Sequence, residues 1–298
     1  MPSAGLWAVF TLIAAGAQTL RNAAQRDLTG VLGAVGAAQV RFVFGLPFAL
    51  LFLIGVRLAT GLAMPALGQA SLVAASIGAM AQILATTLML LAMGRANFVV
   101  VTAYLKTEAI QVAIFAAVFL REPLTLSLCA AIALTSAGVA LMSGPGAGAQ
   151  QPGGWRSAGL GLFAAAAFAI AALSFRSAIL SVTTPSYVLA ASLILVVGLA
   201  VQSLVLLLYM GLADRAGMFA ILRVWRASLF AGFMGALASQ FWFLAFALAS
   251  AARVRTLALV EILFAQIIAR RAFRQSLTGR EWAGLGLIIV GVAALLNG

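Results

Sequence analysis

The sequence predicts an all-α membrane protein with ten transmembrane helices, arranged as two inverted five-helix repeats. Composition is the first reason, because 64% of the 298 residues are hydrophobic and only 8% are charged, whereas roughly a quarter of the residues in soluble domains are charged. Apolar stretches that recur along the chain are the second reason. Each is long enough to cross about 30 Å of hydrocarbon as an α-helix. The third reason is an internal repeat.

Ten apolar segments follow one another, with a single long polar run near the middle of the chain. That run, residues 143–155, reads SGPGAGAQQPGGW and is typical of a flexible linker. We therefore divide the chain into a first repeat (residues 1–143), a linker (144–156) and a second repeat (157–298). The expected helices are residues 4–22, 33–56, 66–93, 96–120, 124–143, 157–181, 185–210, 227–248, 252–272 and 281–297.

The two halves match when the sequence is compared with itself at an offset of 153 residues. The matched positions are Glu108 with Glu261, FLREPLT (119–125) with AFRQSLT (272–278), and Gly138-Val139-Ala140 with Gly291-Val292-Ala293. Because five helices per repeat is an odd number, the second copy must enter the membrane from the opposite side. An inverted repeat of this kind predicts a binding site at the interface between the copies.

The charged residues predict contact with membrane lipid and no nucleic-acid partner. The net charge of +12 comes from 17 Arg, one Lys and six acids. The arginines lie singly or in small groups at the ends of apolar segments, where they can face water or lipid phosphates. Histidine is absent and Cys129 is the single cysteine, so the commonest general base and metal ligand are missing. We expect no metal, no cofactor and no enzymatic activity, in a monomer or weak homo-oligomer.

Four short motifs carry a resemblance to a known family. They are Arg41-Phe42 at the start of the second segment, LKTEAI (105–110), REPLT (121–125) and GVALM (138–142). Together they resemble the EamA-type repeat of the drug/metabolite transporter superfamily, and the resemblance covers essentially the whole chain. The second copy departs from the pattern, with Gln275-Ser276 where the first has Glu122-Pro123. Among the members, the sequence resembles the YddG-like amino acid exporters, which implies outward movement of aromatic or other amino acids across the inner (plasma) membrane.

Polar residues that recur every three or four positions mark helix faces turned towards the bundle interior, because a lipid-facing surface should be apolar. Four segments carry such a stripe, in which large side chains alternate with small ones as in a cavity lining. The residues expected to bind substrate are Trp7, Thr11, Gln18, Gly78, Gln82, Thr86, Tyr104, Glu108, Gln111, Ser239, Trp242 and Phe246. The same stripes include Asn22, Ser71, Asn97, Ser228, Gly232 and Gly235. The alternative is that these residues only pack or hydrogen-bond neighbouring helices.

Two glutamates lie inside predicted helices, close to the bilayer midplane. An uncompensated carboxylate there would cost several kcal/mol, so Glu108 and Glu261 should each be paired or protonated. Each could accept the ammonium group of an amino acid, carry a coupling proton, or bridge helices within its own repeat. Glu108 shares its stripe with polar residues and is expected to bind substrate. Glu261 has apolar stripe neighbours, which indicates a coupling or structural role.

Lys106 has Leu259 as its counterpart in the second repeat, so this charge is expected in one half only. In a continuous helix, Lys106 and Glu108 would point to nearly opposite sides, since residues i and i+2 lie about 200° apart. Lys106 could therefore bind a substrate carboxylate or pair with a remote partner, and it completes the set of expected binding residues.

These features favour a secondary transporter of amino acids or related small metabolites that works by alternating access. The alternatives are a passive channel or facilitator, and an importer of another small metabolite. An intramembrane enzyme is disfavoured by the lack of histidine and the six acids. The orientation stays open, because the loop arginines favour termini outside whereas the resemblance implies termini in the cytoplasm.

Overall fold

The computed structural model describes residues 5–94, 101, 104–142, 155–264 and 279–297. This part of the chain is about 89% helical and contains no strand, which confirms the all-α prediction. Its helices are α1 (Leu6–Val43), α2 (Leu46–Thr60), α3 (Gln69–Met93), α4 (Glu108–Leu120), α5 (Leu126–Met142), α6 (Trp155–Leu180), α7 (Tyr187–Ala213), α8 (Arg215–Arg223), α9 (Trp225–Leu248), α10 (Ala251–Leu257) and α11 (Gly279–Asn297).

The described helices are those of a multi-pass membrane protein. Five helical stretches are long and apolar enough to cross a bilayer. They are Leu6–Thr60, Gln69–Met93, Arg156–Leu180, Tyr187–Ala213 and Trp225–Leu248. The outer surface exposes many large hydrophobic side chains, such as Leu58, Phe119 and Leu126, which suits contact with lipid rather than water.

Most helix ends lie within a few residues of the predicted bounds, but the first two segments differ. Residues 23–32, expected as a loop, continue α1 as helix up to a break at Gly33. Gly33 has φ 67° and ψ 177°, a conformation that glycine adopts readily. Across this break Gln25 donates to the carbonyl of Ala37 at 2.8 Å. Gln25, one of the polar residues that predicted a loop, therefore links the two sides of the kinked helix.

Two smaller differences concern the linker and α8. The predicted linker ended at residue 156, whereas α6 already begins at Trp155; residues 143–154 lie outside the described residues. The short helix Arg215–Arg223 was not predicted, because it is too polar and too short for a membrane span.

The fourth and ninth predicted helices are both broken beside their glutamates. Lys106 and Thr107 form a turn, and Glu108 is the first residue of α4. Glu261 directly follows the 3₁₀ turn Ala258–Val260. The expectation that both glutamates lie deep within continuous helices is therefore wrong. The stripe residue Asn97 lies outside the described residues.

The three most extensive helix contacts each join one helix of the first half to one of the second: α1 with α9, α3 with α6, and α5 with α11. The polar stripes of α1, α3 and α9 are turned inward, as predicted, with Thr11, Thr86 and Ser239 buried. Glycines allow close approach, since a Cβ on Gly78 would lie 3.1 Å from the ring of Phe175 in α6.

The contact between α5 and α11 is reciprocal. A Cβ on Gly138 would lie 2.6 Å from the carbonyl oxygen of Gly284, and one on Gly291 would lie 3.1 Å from that of Ala131. Gly138 with Gly291, and Ala131 with Gly284, are the same positions at the offset of 153 residues. The two helices thus present equivalent surfaces to each other.

Gly138→Ala is expected to lower the free energy of unfolding by about 1 to 3 kcal/mol, because the added methyl overlaps backbone atoms of α11 that cannot move aside. Gly286→Ala, on the same helix pair, is the matched control. Its Cβ would meet nothing within 4 Å, so alanine's better helix propensity should leave stability unchanged or raised. Thermal unfolding in detergent tests this, and equal midpoints for the two variants would refute the close packing of α5 on α11.

Candidate functional site

An interior cavity lies between the two halves of the chain. It offers about 70 Å³ to the centres of water-sized groups. Its lining residues are Gln18, Thr19, Arg21, Asn22, Arg41, Gln82, Met89, Met93, Leu105, Lys106, Glu108, Ala109, Phe168, Trp242, Arg255, Ala258, Leu259, Glu261 and Ile262.

Two ion pairs cross the cavity between the halves. Lys106 Nζ lies 2.5 Å from Glu261 Oε2, and Arg255 Nε lies 2.9 Å from Glu108 Oε1. All four side chains are largely buried, with at most 16% exposed. Each half therefore supplies one cation and one carboxylate, and each pair joins the cation of one half to the carboxylate of the other.

Lys106 takes the second of its two expected roles, pairing with a remote partner. It lies in the turn before α4, so the opposite-face argument for a continuous helix does not apply, and both Lys106 and Glu108 reach the cavity. The expectation of a cation in one half of the chain only is also wrong. Arg255 supplies the equivalent cation one helical turn before Leu259, which a fixed-offset comparison of the sequence does not detect.

Glu261 lies among polar groups, contrary to the expectation from its own helix face. Besides Lys106, it accepts from Gln18 Nε2 at 3.2 Å and from Asn22 Nδ2 at 3.5 Å. These donors come from α1 and the turn before α4, so the stripe on the helix of Glu261 could not predict them. The surroundings of Glu108 and Glu261 are thus more alike than expected.

Trp242 forms part of the cavity wall, at the position expected for it. Its Nε1 donates to Gln18 Oε1 at 3.0 Å. The guanidinium carbon of Arg255 lies 4.5 Å from the centre of the Trp242 ring and 5.3 Å from that of Phe246. Phe246 stacks on Trp242 behind the wall. The two rings hold Arg255 by cation–π contacts while it pairs with Glu108.

Three arginines of the site were missed as binding residues. Arg41 was noted only as part of a motif, and Arg21 and Arg255 were not among the expected binding residues. Arg21 and Arg41 are 1% and 2% exposed. The signal for Arg21 was present, because it follows Gln18 by three residues on the α1 stripe and an intramembrane charge marks a functional site by default.

The expected binding residues fall into three groups. Those in the cavity lining are Gln18, Gln82, Lys106, Glu108 and Trp242. Glu261, which was expected to have a coupling or structural role, lies in the lining as well. Three others contact lining residues without lining the cavity themselves. Thr86 and Ser239 accept from Arg41 at 3.3 and 3.4 Å, and Phe246 stacks on Trp242. Away from the lining are Trp7, Thr11, Gly78, Tyr104 and Gln111.

The residues away from the lining have packing or hydrogen-bond partners of their own. Thr11 donates to the carbonyl of Trp7 at 2.7 Å. Tyr104 packs against Gly161 of α6. Gln111 donates to Thr107 Oγ1 at 3.1 Å. These contacts agree with the alternative that the residues only pack or hydrogen-bond neighbouring helices. A role of these residues in substrate binding stays a prediction.

A second, more open space of about 710 Å³ lies near the turn between α4 and α5. Trp7 lines it together with Glu122 and Arg176. Arg176 Nε lies 3.5 Å from Glu122, and its Nη1 donates to the carbonyls of Phe246 and Ala249 at 2.6 and 2.8 Å. Arg176 thus ties α6 and the end of α9 to the first half at this end of the bundle.

The fold and the buried polar residues define the class of protein: a multi-pass helical membrane protein with Lys, Arg and Glu side chains lining an internal cavity. A solved crystal structure, whose description does not say which protein it is, has a similar fold. The TM-score is 0.72, over 99% of this chain and 98% of the other. The two share 14% sequence identity, so the likeness concerns the fold alone. The sequence matches no family model, and no curated protein matches it.

Proposed function

We propose that this protein is a secondary transporter of a small metabolite, with ten transmembrane helices in two inverted repeats. The reciprocal contact of Gly138 and Gly291 supports the repeat, as do the helix breaks at Glu108 and Glu261. The motif resemblance adds membership of the drug/metabolite transporter superfamily with EamA-type repeats.

The observation that carries the proposal is the charged cavity whose two ion pairs join the halves. In inverted-repeat transporters, substrate binds near the midplane at the repeat interface, beside interrupted helices. Irregular backbone is tolerated at membrane depth only where it is buried in protein or lines a cavity. The turn at Lys106-Thr107 and the 3₁₀ turn Ala258–Val260 fit that description.

Rocking of one half against the other would expose the cavity to each side of the membrane in turn. Because both ion pairs join one half to the other, such a motion would change the distances within the pairs. The ion pairs would therefore favour one conformation of the protein over another. The resemblance supplies the remaining details: amino acids as substrates, export as the direction, and the inner membrane as the location.

A counterflow assay in proteoliposomes tests the proposal. Liposomes loaded with an unlabelled compound should take up the same radiolabelled compound transiently above its equilibrium level, with a panel of amino acids and small organic acids as probes. A passive channel gives no overshoot, because it does not alternate between a state open to one side of the membrane and a state open to the other. Uptake no faster than in empty liposomes for every compound would contradict the proposal.

Ten spans place Met1 and Gly298 on the same side of the membrane, and five spans place the linker near Gly148 on the other. Reporter fusions at these three positions should therefore give one result for both ends and the opposite result for the linker. Fusions that place Met1 and Gly298 on opposite faces would contradict the ten-span arrangement.

Trp242→Ala is expected to change the substrate preference more than the amount of folded protein, because the ring forms the cavity wall. Trp242→Phe is the control, since it keeps an aromatic face for Arg255 and loses only the bond to Gln18. Relative initial rates for a substrate panel, at matched protein amounts, are the measurement. Loss of folded protein in proportion to transport would make Trp242 a packing residue only.

A further inference from the structure

The cavity carries more positive than negative charge. Among its described lining residues, the cations are Arg21, Arg41, Lys106 and Arg255, and the carboxylates are Glu108 and Glu261. The two ion pairs use one cation for each carboxylate. Arg21 and Arg41 are then left in excess, and the described lining has two more positive than negative charges.

The contacts of Arg21 and Arg41 are to neutral groups. Arg21 Nη2 donates to Asn22 Oδ1 at 2.7 Å, and Arg41 donates at 3.3 and 3.4 Å to Thr86 and Ser239. Within the part of the chain that the structure describes, Arg21 Nε, Arg21 Nη1 and Arg41 Nε have no hydrogen-bond partner. Donors therefore remain available on both guanidinium groups.

The two guanidinium-bearing side chains lie close together over one glycine of α9. A Cβ on Gly235 would lie 2.9 Å from Arg41 Cγ and 3.4 Å from Arg21 Cδ. The missing side chain at Gly235 is what leaves room for both arginines at the cavity. Arginine does not lose its proton in proteins, so the two charges persist and repel each other unless an anion lies near them.

We infer that the cavity binds a small organic acid, whose carboxylate lies between Arg21 and Arg41. A guanidinium fork matches the planar carboxylate and can donate two parallel hydrogen bonds to it. The remaining lining includes the apolar side chains Met89, Leu105 and Ile262, against which a short carbon chain can pack. An inorganic oxyanion has no such apolar part.

This inference rests on the proposed function and assigns its small metabolite to the organic acids, in place of the amino acids that the resemblance implies. Both carboxylates of the cavity are already paired with cations, so a substrate ammonium would have to displace Lys106 or Arg255. The net charge therefore favours an anion over a zwitterionic amino acid.

Binding to purified wild-type protein is measured first, as a shift in thermal midpoint during titration. Propionate should stabilise the protein, whereas propionamide, which has the same shape without the charge, should not. Equal stabilisation by propionamide or by alanine would overturn the anion requirement. Stabilisation by sulfate in preference to propionate would overturn the organic acid. No effect of propionate would overturn the inference as a whole.

Variants then locate the site. Arg21→Gln and Arg41→Gln should each weaken propionate binding at least tenfold, and Arg41→Lys, which keeps the charge but not the fork, should weaken it less than Arg41→Gln. Arg176→Gln, outside this cavity, should leave the affinity unchanged. Unchanged affinity in folded Arg41→Gln, or an equal loss in Arg176→Gln, would place the anion elsewhere.

Counterflow with radiolabelled propionate separates this inference from the proposed function. Propionate binding without counterflow of any compound would uphold the anion site and contradict the transporter. Counterflow of alanine without any binding of propionate would uphold the transporter and overturn the anion site.

Discussion

Lys106→Met is expected to weaken propionate binding by roughly 30- to 100-fold, and Glu261→Gln to strengthen it by a similar factor. The first change removes one positive charge from the cavity, and the second removes one negative charge. A unit charge at about 6 to 8 Å contributes about 2 to 3 kcal/mol at an effective dielectric constant of about 20. The two single variants should therefore shift the affinity in opposite directions.

The double variant Lys106→Met/Glu261→Gln is the control, because it removes both members of the pair and keeps the net charge of the cavity. Its affinity should return close to that of the wild type. Each single variant should be less stable than the double, since breaking a buried pair costs about 3 to 5 kcal/mol. Shifts in the same direction for both single variants would show that net charge does not govern binding.

Glu108→Gln is expected to cut transport at least tenfold, a loss of about 1.4 kcal/mol in transition-state stabilisation. The substitution leaves Arg255 without its counter-charge beside Trp242, so the ion pair between the halves can no longer form. Because the pair is buried, we also expect the free energy of unfolding to fall by about 3 to 5 kcal/mol.

Glu122→Gln is the matched control for Glu108→Gln. Glu122 also pairs with an arginine, Arg176, but at 3.5 Å and with 27% of its side chain exposed. A partly exposed pair contributes about 1 kcal/mol or less, so stability and transport should stay near the wild-type values. Initial rates in proteoliposomes and unfolding midpoints in detergent test both variants, and equal damage from the two substitutions would contradict a special role for Glu108.

The helical class, most helix ends and the inward stripes were predictable because they follow from local patterns. Apolar length predicted α3, and residues spaced three or four apart predicted the buried faces of Thr86 and Ser239. The kink at Gly33 was not predictable in the same way. Residues 23–32 are polar enough to suggest a loop, and the bond from Gln25 to Ala37 exists only once the helix has turned.

The partners within the site could not be read from the sequence, because they come from distant parts of the chain. Lys106 and Glu261 are separated by 155 residues, and the repeat offset pairs Lys106 with an apolar residue instead. Arg255 and its partner Glu108 likewise come from different halves of the chain. The helix breaks beside Glu108 and Glu261 also carry no glycine or proline signal in the sequence.

Thiol labelling of the cavity from each side of the membrane tests the central claim most directly. The native thiol is first removed by Cys129→Ser, and a new one is introduced by Ala258→Cys, at a small residue of the lining. A membrane-impermeant thiol reagent added to either face of oriented vesicles should modify this cysteine, and propionate should slow both reactions. Labelling from one face only, or from neither, would contradict alternating access to this cavity.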